Sequence, residues 1–544
     1  MRSDIIKMYK DVHTWVGIVS GLALFIAFYG GAITMFEGPL QRWASPPAVF
    51  GELTPLNKTP ELVERVIAEY PDAARGYQVV LKPSAGRPAR INWQVHDPDA
   101  HDHDHPMLMH ANLSEEGDLV VASDVVSPLP QLVDDLHRQV GLLLDHDIAM
   151  PIMGVVALLY GVALISGVII LVPTFVQDLF AFRVGKNLKR MWLDFHNLLG
   201  IFSLPFHLVM ALTAVIFAFH DPIYGAQEEL VFQGNNSFLA RNPGQNSGSV
   251  GEKIKPLTPA EIVARLHQQL PEYQPNFINY RVSPQAGPAL LIFGGNPRYG
   301  ARSPDGGVVG VDAFTGDIVA SDYTPGLQGA WGATITSFFT LHFGTYGGSP
   351  IRWSYFVLGL AGALLFYTGN LLWLETRRKK QRKTMSLAQV NQKQSTRIMG
   401  ALTVGVSLGC VAGISLSIAA AKVLPSFVED VGRFHTLIYY AVFFMSVLWS
   451  LWRGVAQASV DLLVATAIST AMIPMVSLLS LIVPGFGWNY PDYSVSIDLM
   501  AMLGVAVLLL LAIKTLKRIR SAPEDSIWFV GEMPAGAKNT VVAH

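Results

Sequence analysis

Long apolar runs separated by polar stretches set the pattern of this chain. Runs of about 20 residues, the length a helix needs to cross a hydrocarbon core, cover 16–36, 148–172, 198–219 and 354–374. Four more follow at 398–423, 437–452, 460–483 and 497–513, the second of them short. The pattern predicts about eight transmembrane helices. Phe36, Glu37, Gly38 and Pro39 follow the first run in place of a small-residue cleavage site, so that run is expected to remain as an anchor.

Two long polar segments, 37–147 and 220–353, carry matching patterns. In the first, TPELVERVIAEYP (59–71) precedes the alternating runs YQVVLKP and RINWQV and then EEGDLVVASD. In the second, TPAEIVARLHQQLP (258–271) precedes YRVSPQAGPALLIF and then FTGDIVASD. Each reads as an amphipathic helix followed by a small antiparallel sheet. The spans repeat as well. YKDVHTWVGI (9–18) parallels MWLDFHNLLGI (191–201), and DDLHRQVG (134–141) parallels FTLHFG (339–344). The expected fold is therefore an α-helical integral membrane protein in which a unit of span, external α+β domain and span occurs twice as a parallel repeat. A four-helix extension at 398–513 completes it, with connecting loops at 173–197 and 375–397 and a tail at 514–544.

Charge sets the orientation. Lys and Arg gather at Arg2, Lys7 and Lys10; at Arg183, Lys186, Lys189 and Arg190; at Arg377 to Lys383; and at Lys514 to Arg520. With eight spans these clusters fall on one side, which the positive-inside rule makes the cytoplasm. Both termini are then expected inside, and the two polar segments in the periplasm of an inner-membrane protein. Only 15% of residues are charged and the net charge is −2, so membrane lipid is an expected partner and nucleic acid is not. The single cysteine, Cys410, excludes an intramolecular disulfide, a Cys-ligated zinc or iron–sulfur site, and CxxCH haem attachment.

The repeat maps His13 onto His196 and His137 onto His342. Each symmetric couple would share a membrane face, which is how two imidazoles clamp a planar macrocycle, and imidazole is a standard axial ligand of haem iron. Gly17, Gly141 and Gly200 each follow a histidine by four residues, where a missing side chain leaves room for a porphyrin edge. His342 has instead Gly344, Gly347 and Gly348. Single histidines of this kind usually cap helices or meet headgroups; four at duplicated positions favour ligation. His207, eleven residues after His196, falls on nearly the same helical face and could replace one of the four, although its counterpart is Leu24. His220 and His435 read as interfacial. The tract His96, Asp97, Asp99, His101, Asp102, His103, Asp104, His105 and His110 has a composition that binds divalent metal weakly, or is a solvated loop. The sequence has no GxGxxG dinucleotide loop after a strand, no Walker loop and no GxSxG elbow in a strand-turn-helix context.

VHTWVGIVSGLALFIAFYGG, DLHRQVG, WLDFHNLLGIFSLPF, LHFGTYGG and a span ending TGNLLWLETRRKK together resemble the PepSY-associated transmembrane family over roughly residues 5–380. Its members include inner-membrane haem reductases of ferric siderophores. The resemblance implies two PepSY-like periplasmic domains and two b haems, with His13 and His196 holding the inner one and His137 and His342 the outer one. It implies electron transfer from quinol or a separate cytoplasmic donor to a ferric siderophore or other ferric chelate. Residues from about 396 to 513 lie beyond the family's four-span core and carry no paired histidines. The competing readings are a transporter and a non-catalytic binding or assembly protein.

Overall fold

The computed structural model describes residues 3–45, 52–84, 86–95, 108–123, 127–176, 183, 187–230, 256–283, 287–303, 305–384, 392–483 and 495–530. Most of the His/Asp tract (96–107), Arg2 and Lys186 lie outside them. Two compact units emerge. One comprises 1–45, 127–219 and 354–544; the other comprises 46–126 and 220–353.

The first unit is helical. It opens with α1 (Ser3–Thr34) and the short α2 (Glu37–Ala44), and resumes with α4 (Leu129–Arg138) and α5 (His146–Leu171). Then come α6 (Leu188–Phe202) and α7 (Leu204–Ala218), which meet at a 70° bend. Pro205 stands just past the break; it has no N–H to give the preceding turn, which weakens the helix there. The long α11 (Gly348–Thr384) starts in the second unit and runs into this one, and α12 (Gln394–Ala420), α13 (Val431–Arg453), α14 (Val455–Ile482) and α15 (Val495–Arg520) follow. Seven of these helices are long and apolar enough to cross a membrane, and the bent α6–α7 pair makes up to eight. The protein is thus a multi-pass membrane protein.

Small residues let the last helices close up. A Cβ on Gly405, Gly409 or Gly413 of α12 would stand 2.4, 2.9 and 2.8 Å from atoms of Ser450, Ser446 and Tyr439 on α13. Close backbone approach of this kind is how helices associate where water provides no driving force. The resulting core joins Cys410, Ile414 and Ile418 to Phe25 and Ile26 of α1, Trp43 of α2, and Leu129, Val133 and Leu136 of α4.

The second unit holds α3 (Thr59–Glu69), β1 (Gly76–Val80), β2 (Ile91–Gln94), β3 (Leu108–Leu113) and β4 (Leu119–Ser123). It continues with α8 (His220–Leu230), α9 (Pro259–Gln269), β5 (Gln274–Ser283), β6 (Gly287–Gly295), β7 (Gly307–Asp312), β8 (Ile318–Ala320) and α10 (Ala330–Phe343). The expected helix-then-sheet order appears in both halves, but not as two separate domains. The edges β1 and β5 pair antiparallel, with Gln78 opposite Asn279 and the Tyr77 and Tyr280 rings stacked at 4.8 Å. One eight-stranded sheet results, in the order β4-β3-β2-β1-β5-β6-β7-β8. Leu62 and Val66 of α3 share a single core with Ile262 and Leu266 of α9, so neither half has to bury its apolar face alone.

Candidate site of facing histidines

His13 lies on α1 and His196 on α6, and the fold brings their rings together. The ring centres are 6.2 Å apart with planes at 75°. Each ring is held from behind by a neighbouring helix. His13 Nδ1 is 2.8 Å from the Ala163 carbonyl of α5. His196 Nδ1 is 3.2 Å from the Leu365 carbonyl of α11 and 3.3 Å from Thr368 Oγ1. A carbonyl only accepts, so Nδ1 carries the proton in both rings and Nε2 keeps its lone pair. That is the tautomer of a metal-bound histidine, whose other nitrogen habitually donates to a carbonyl.

The separation fits a shared ion. Two imidazole nitrogens each about 2 Å from one metal, with ring centres a little over 1 Å further out, place those centres about 6 Å apart. Among the described residues no three His, Cys, Asp or Glu side chains cluster as they would around a bare metal ion. A two-imidazole set suits a macrocycle that supplies the remaining ligands itself. Among the described residues outside its own turn of helix, a Cβ added to Gly17, one turn beyond His13, would meet nothing within 4 Å, and one on Gly200 would meet Leu365 Cδ1 at 3.7 Å. Both glycines leave space beside the rings.

His137 follows the same rule of support. It stands at the end of α4, and its Nδ1 is 2.7 Å from the Ala27 carbonyl of α1. Gly31 makes room for the ring: a Cβ there would lie 2.8 Å from His137 Cε1 and Nδ1. Its expected companion His342 falls in the other unit, near the end of α10, half-buried and edge-on to Phe343.

Two expectations need correction. Gly141 is not one helical turn beyond His137, because α4 ends at Arg138. It sits at φ +73° after Val140 at φ +49°, and a Cβ would press on Ile26 at 3.1 Å, so its glycine serves a left-handed turn and close packing. His207 does not share a face with His196, because the α6–α7 bend lies between them. It is fully buried, its Nδ1 meets the Tyr160 hydroxyl, its Nε2 has no partner among the described residues, and Phe28 and Phe206 flank it. His435, near the start of α13, is fully buried, and neither ring nitrogen is hydrogen-bonded among the described residues.

Other polar groups escaped sequence reasoning. Asp194, two residues before His196, is buried and takes Arg183 Nε and Nη2 at 2.9 and 3.0 Å and its backbone N–H at 3.0 Å, which ties Arg183 to α6. Lys422 is fully buried just past α12; its Nζ reaches Ser477 Oγ at 3.3 Å and the Trp43 ring at 4.3 Å, and Ser477 in turn meets Asp498 at 3.0 Å. Isolated residues on apolar runs leave no periodic trace, so nothing in the pattern marked them.

Residues 11–376 match the model of the PepSY-associated TM region. The chain belongs to that family. The match takes in His13, His137, His196 and His342 and stops short of α12 to α15, so the family core and the C-terminal helices are distinct parts of the chain. No curated protein matches it.

Proposed function

We propose that this family member is an inner-membrane electron-transfer protein that carries two b-type haems and reduces a ferric chelate, a ferric siderophore foremost, outside the cytoplasm. The observation that carries the reading is the His13–His196 pair: two imidazoles 6.2 Å apart, each with Nδ1 committed to a backbone carbonyl. Haem, when bound, supplies one-electron chemistry, and its potential is set by axial ligands, burial and nearby hydrogen bonds. The chain's own work is to hold the rings, fix their tautomers and exclude water. His13 and His196 would hold the inner group, and His137 and His342 the outer one.

The topology belongs to the same proposal. The basic clusters support a topology with both termini in the cytoplasm and the sheet unit in the periplasm. A parallel duplication of span, domain and span is supported by the like settings of His13 and His196 and by the β1–β5 pairing about Gln78 and Asn279. Electrons would come from quinol or a separate cytoplasmic donor. Reduction would release iron because ferrous ion is held more weakly by hard oxygen ligands.

The test is a dithionite-reduced minus oxidised spectrum, with pyridine haemochrome quantification, on wild type and on His13→Ala and His342→Ala. Two b haems per chain, a different one lost in each variant, and reoxidation of reduced protein by ferric chelate are the expected results. Well-folded protein from a haem-competent host that contains no haem would overturn the reading and move the transporter and binding-protein alternatives to the front.

A further inference from the structure

Behind the facing histidines, α5 and α11 present the same element at the same spacing. In α5, Ala163 offers its carbonyl to His13 Nδ1, Ser166 Oγ stands 3.5 Å from that nitrogen, and a Cβ on Gly167 would touch the ring at 3.1 Å. In α11, Leu365 offers the carbonyl to His196 Nδ1, Thr368 Oγ1 stands 3.3 Å away, and a Cβ on Gly369 would touch the ring at 3.4 Å. Carbonyl at one position, hydroxyl three residues on and glycine at the fourth recur in both helices. The spacing puts all three on one helical face toward one imidazole.

The geometry points to Ser166 and Thr368 as positioning residues that tune the two facing imidazoles through their Nδ1–H groups. The inference rests on the haem reading and adds residues to it. In each helix the hydroxyl hydrogen is already spent: Ser166 donates to Val162 O at 2.7 Å and to Ala163 O at 3.0 Å, and Thr368 donates to Leu365 O at 3.0 Å. With its proton turned back on the helix, the oxygen can only accept from the imidazole N–H. The N–H is therefore shared between a carbonyl and a hydroxyl, which fixes ring rotation and leaves Nε2 more basic. Back-bonding by itself is common in these helices. Ser20 and Ser446 bond to Val16 and Val442 in the same way and meet no imidazole.

The two sites differ in balance. At His13 the carbonyl is the closer acceptor, 2.8 against 3.5 Å, whereas at His196 the two are nearly equal, 3.2 and 3.3 Å. Removing Thr368's oxygen therefore takes away an acceptor nearly as close to His196 as the carbonyl, and removing Ser166's oxygen takes away the more distant of the two acceptors at His13. The ordering is specific to this mechanism.

The experiment uses full-length holoprotein with Ser166→Ala, Thr368→Val, and the hydroxyl-keeping Ser166→Thr and Thr368→Ser. Haem content, low-spin electron paramagnetic resonance and a spectroelectrochemical titration are read together. The expected result is two haems in every variant, with the resonance and midpoint of one haem displaced to higher potential in Thr368→Val and less so in Ser166→Ala. Thr368→Ser and Ser166→Thr should restore the wild-type signature. Unchanged resonance and midpoint in both hydroxyl-free variants would overturn the assignment while leaving the haem reading intact. So would equal shifts of both haems, which indicate loosened packing. Wild type without haem would end the haem reading, and this inference with it.

Discussion

Gly31→Ala is a sharp test of how α1 seats His137. The new methyl would stand 2.8 Å from Cε1 and Nδ1 of the ring, against about 3.5–4.0 Å for a relaxed carbon contact. The ring cannot retreat by a small tilt. Its Nδ1 is bonded at 2.7 Å to Ala27, one turn earlier on the same helix, and the backbone of His137 already lies 3.3 Å from where a Cβ of Gly30 would be. Overpacking of this kind costs about 1–3 kcal/mol, and loss of the Nδ1 bond adds about 1 kcal/mol. A group that needs His137 Nε2 in place would then bind about 30- to 1,000-fold more weakly, at 1.4 kcal/mol per tenfold. On the proposed two-haem reading, pyridine haemochrome on purified protein should fall from about two haems per chain towards one, with the His13–His196 signature kept. A variant that retains both haems with an unchanged reduced spectrum and melting temperature would refute the packing argument.

Gly17→Ala separates cofactor from fold. Its methyl meets no atom of the described residues beyond its own turn of helix within 4 Å, and alanine is the better helix former by about 1 kcal/mol, so haem-free protein should melt no lower, while haem retention drops; equal retention would show that nothing occupies that space. Asp525→Ala removes a buried carboxylate that binds Arg378 Nη1 at 2.9 and 3.1 Å, where Arg378 also meets Glu375 at 2.9 Å. We expect a loss on the order of 3 kcal/mol and faster proteolysis of the C-terminal segment, and unaltered melting and cleavage would count against it. In the sheet unit, burial pushes the Tyr77 phenol up to about 12. The neutral form is the one the fold favours, so this contribution is full below the ordinary tyrosine value of about 10 and is lost as pH rises through about 12. The tyrosinate absorbance that disappears in Tyr77→Phe should belong to the late part of an alkaline titration; loss of an early phase instead would show the ring to be solvated.

What the amino-acid sequence determined by itself is whatever repeats locally. Hydrophobic run length marks membrane helices because the bilayer admits few other backbones, and the alternating runs after 59–71 and 258–271 mark strands because side chains alternate across a sheet. His13, His137, His196 and His342 were legible for the same reason, since each sits in a short motif that recurs along the chain. Tertiary structure decided what depends on partners distant in sequence. The β1–β5 register that fuses two four-stranded halves, the Ala163, Leu365 and Ala27 carbonyls that choose each histidine tautomer, and the burial of His435 and Lys422 all come from helices and strands meeting across long chain separations. Backbone carbonyls have no side-chain signature, so a sequence cannot show which one an imidazole will find. Pro205 shows the boundary between the two: it was visible within the third apolar run, but that the helix would turn there by 70° and carry His207 off the face of His196 depended on the packing around it.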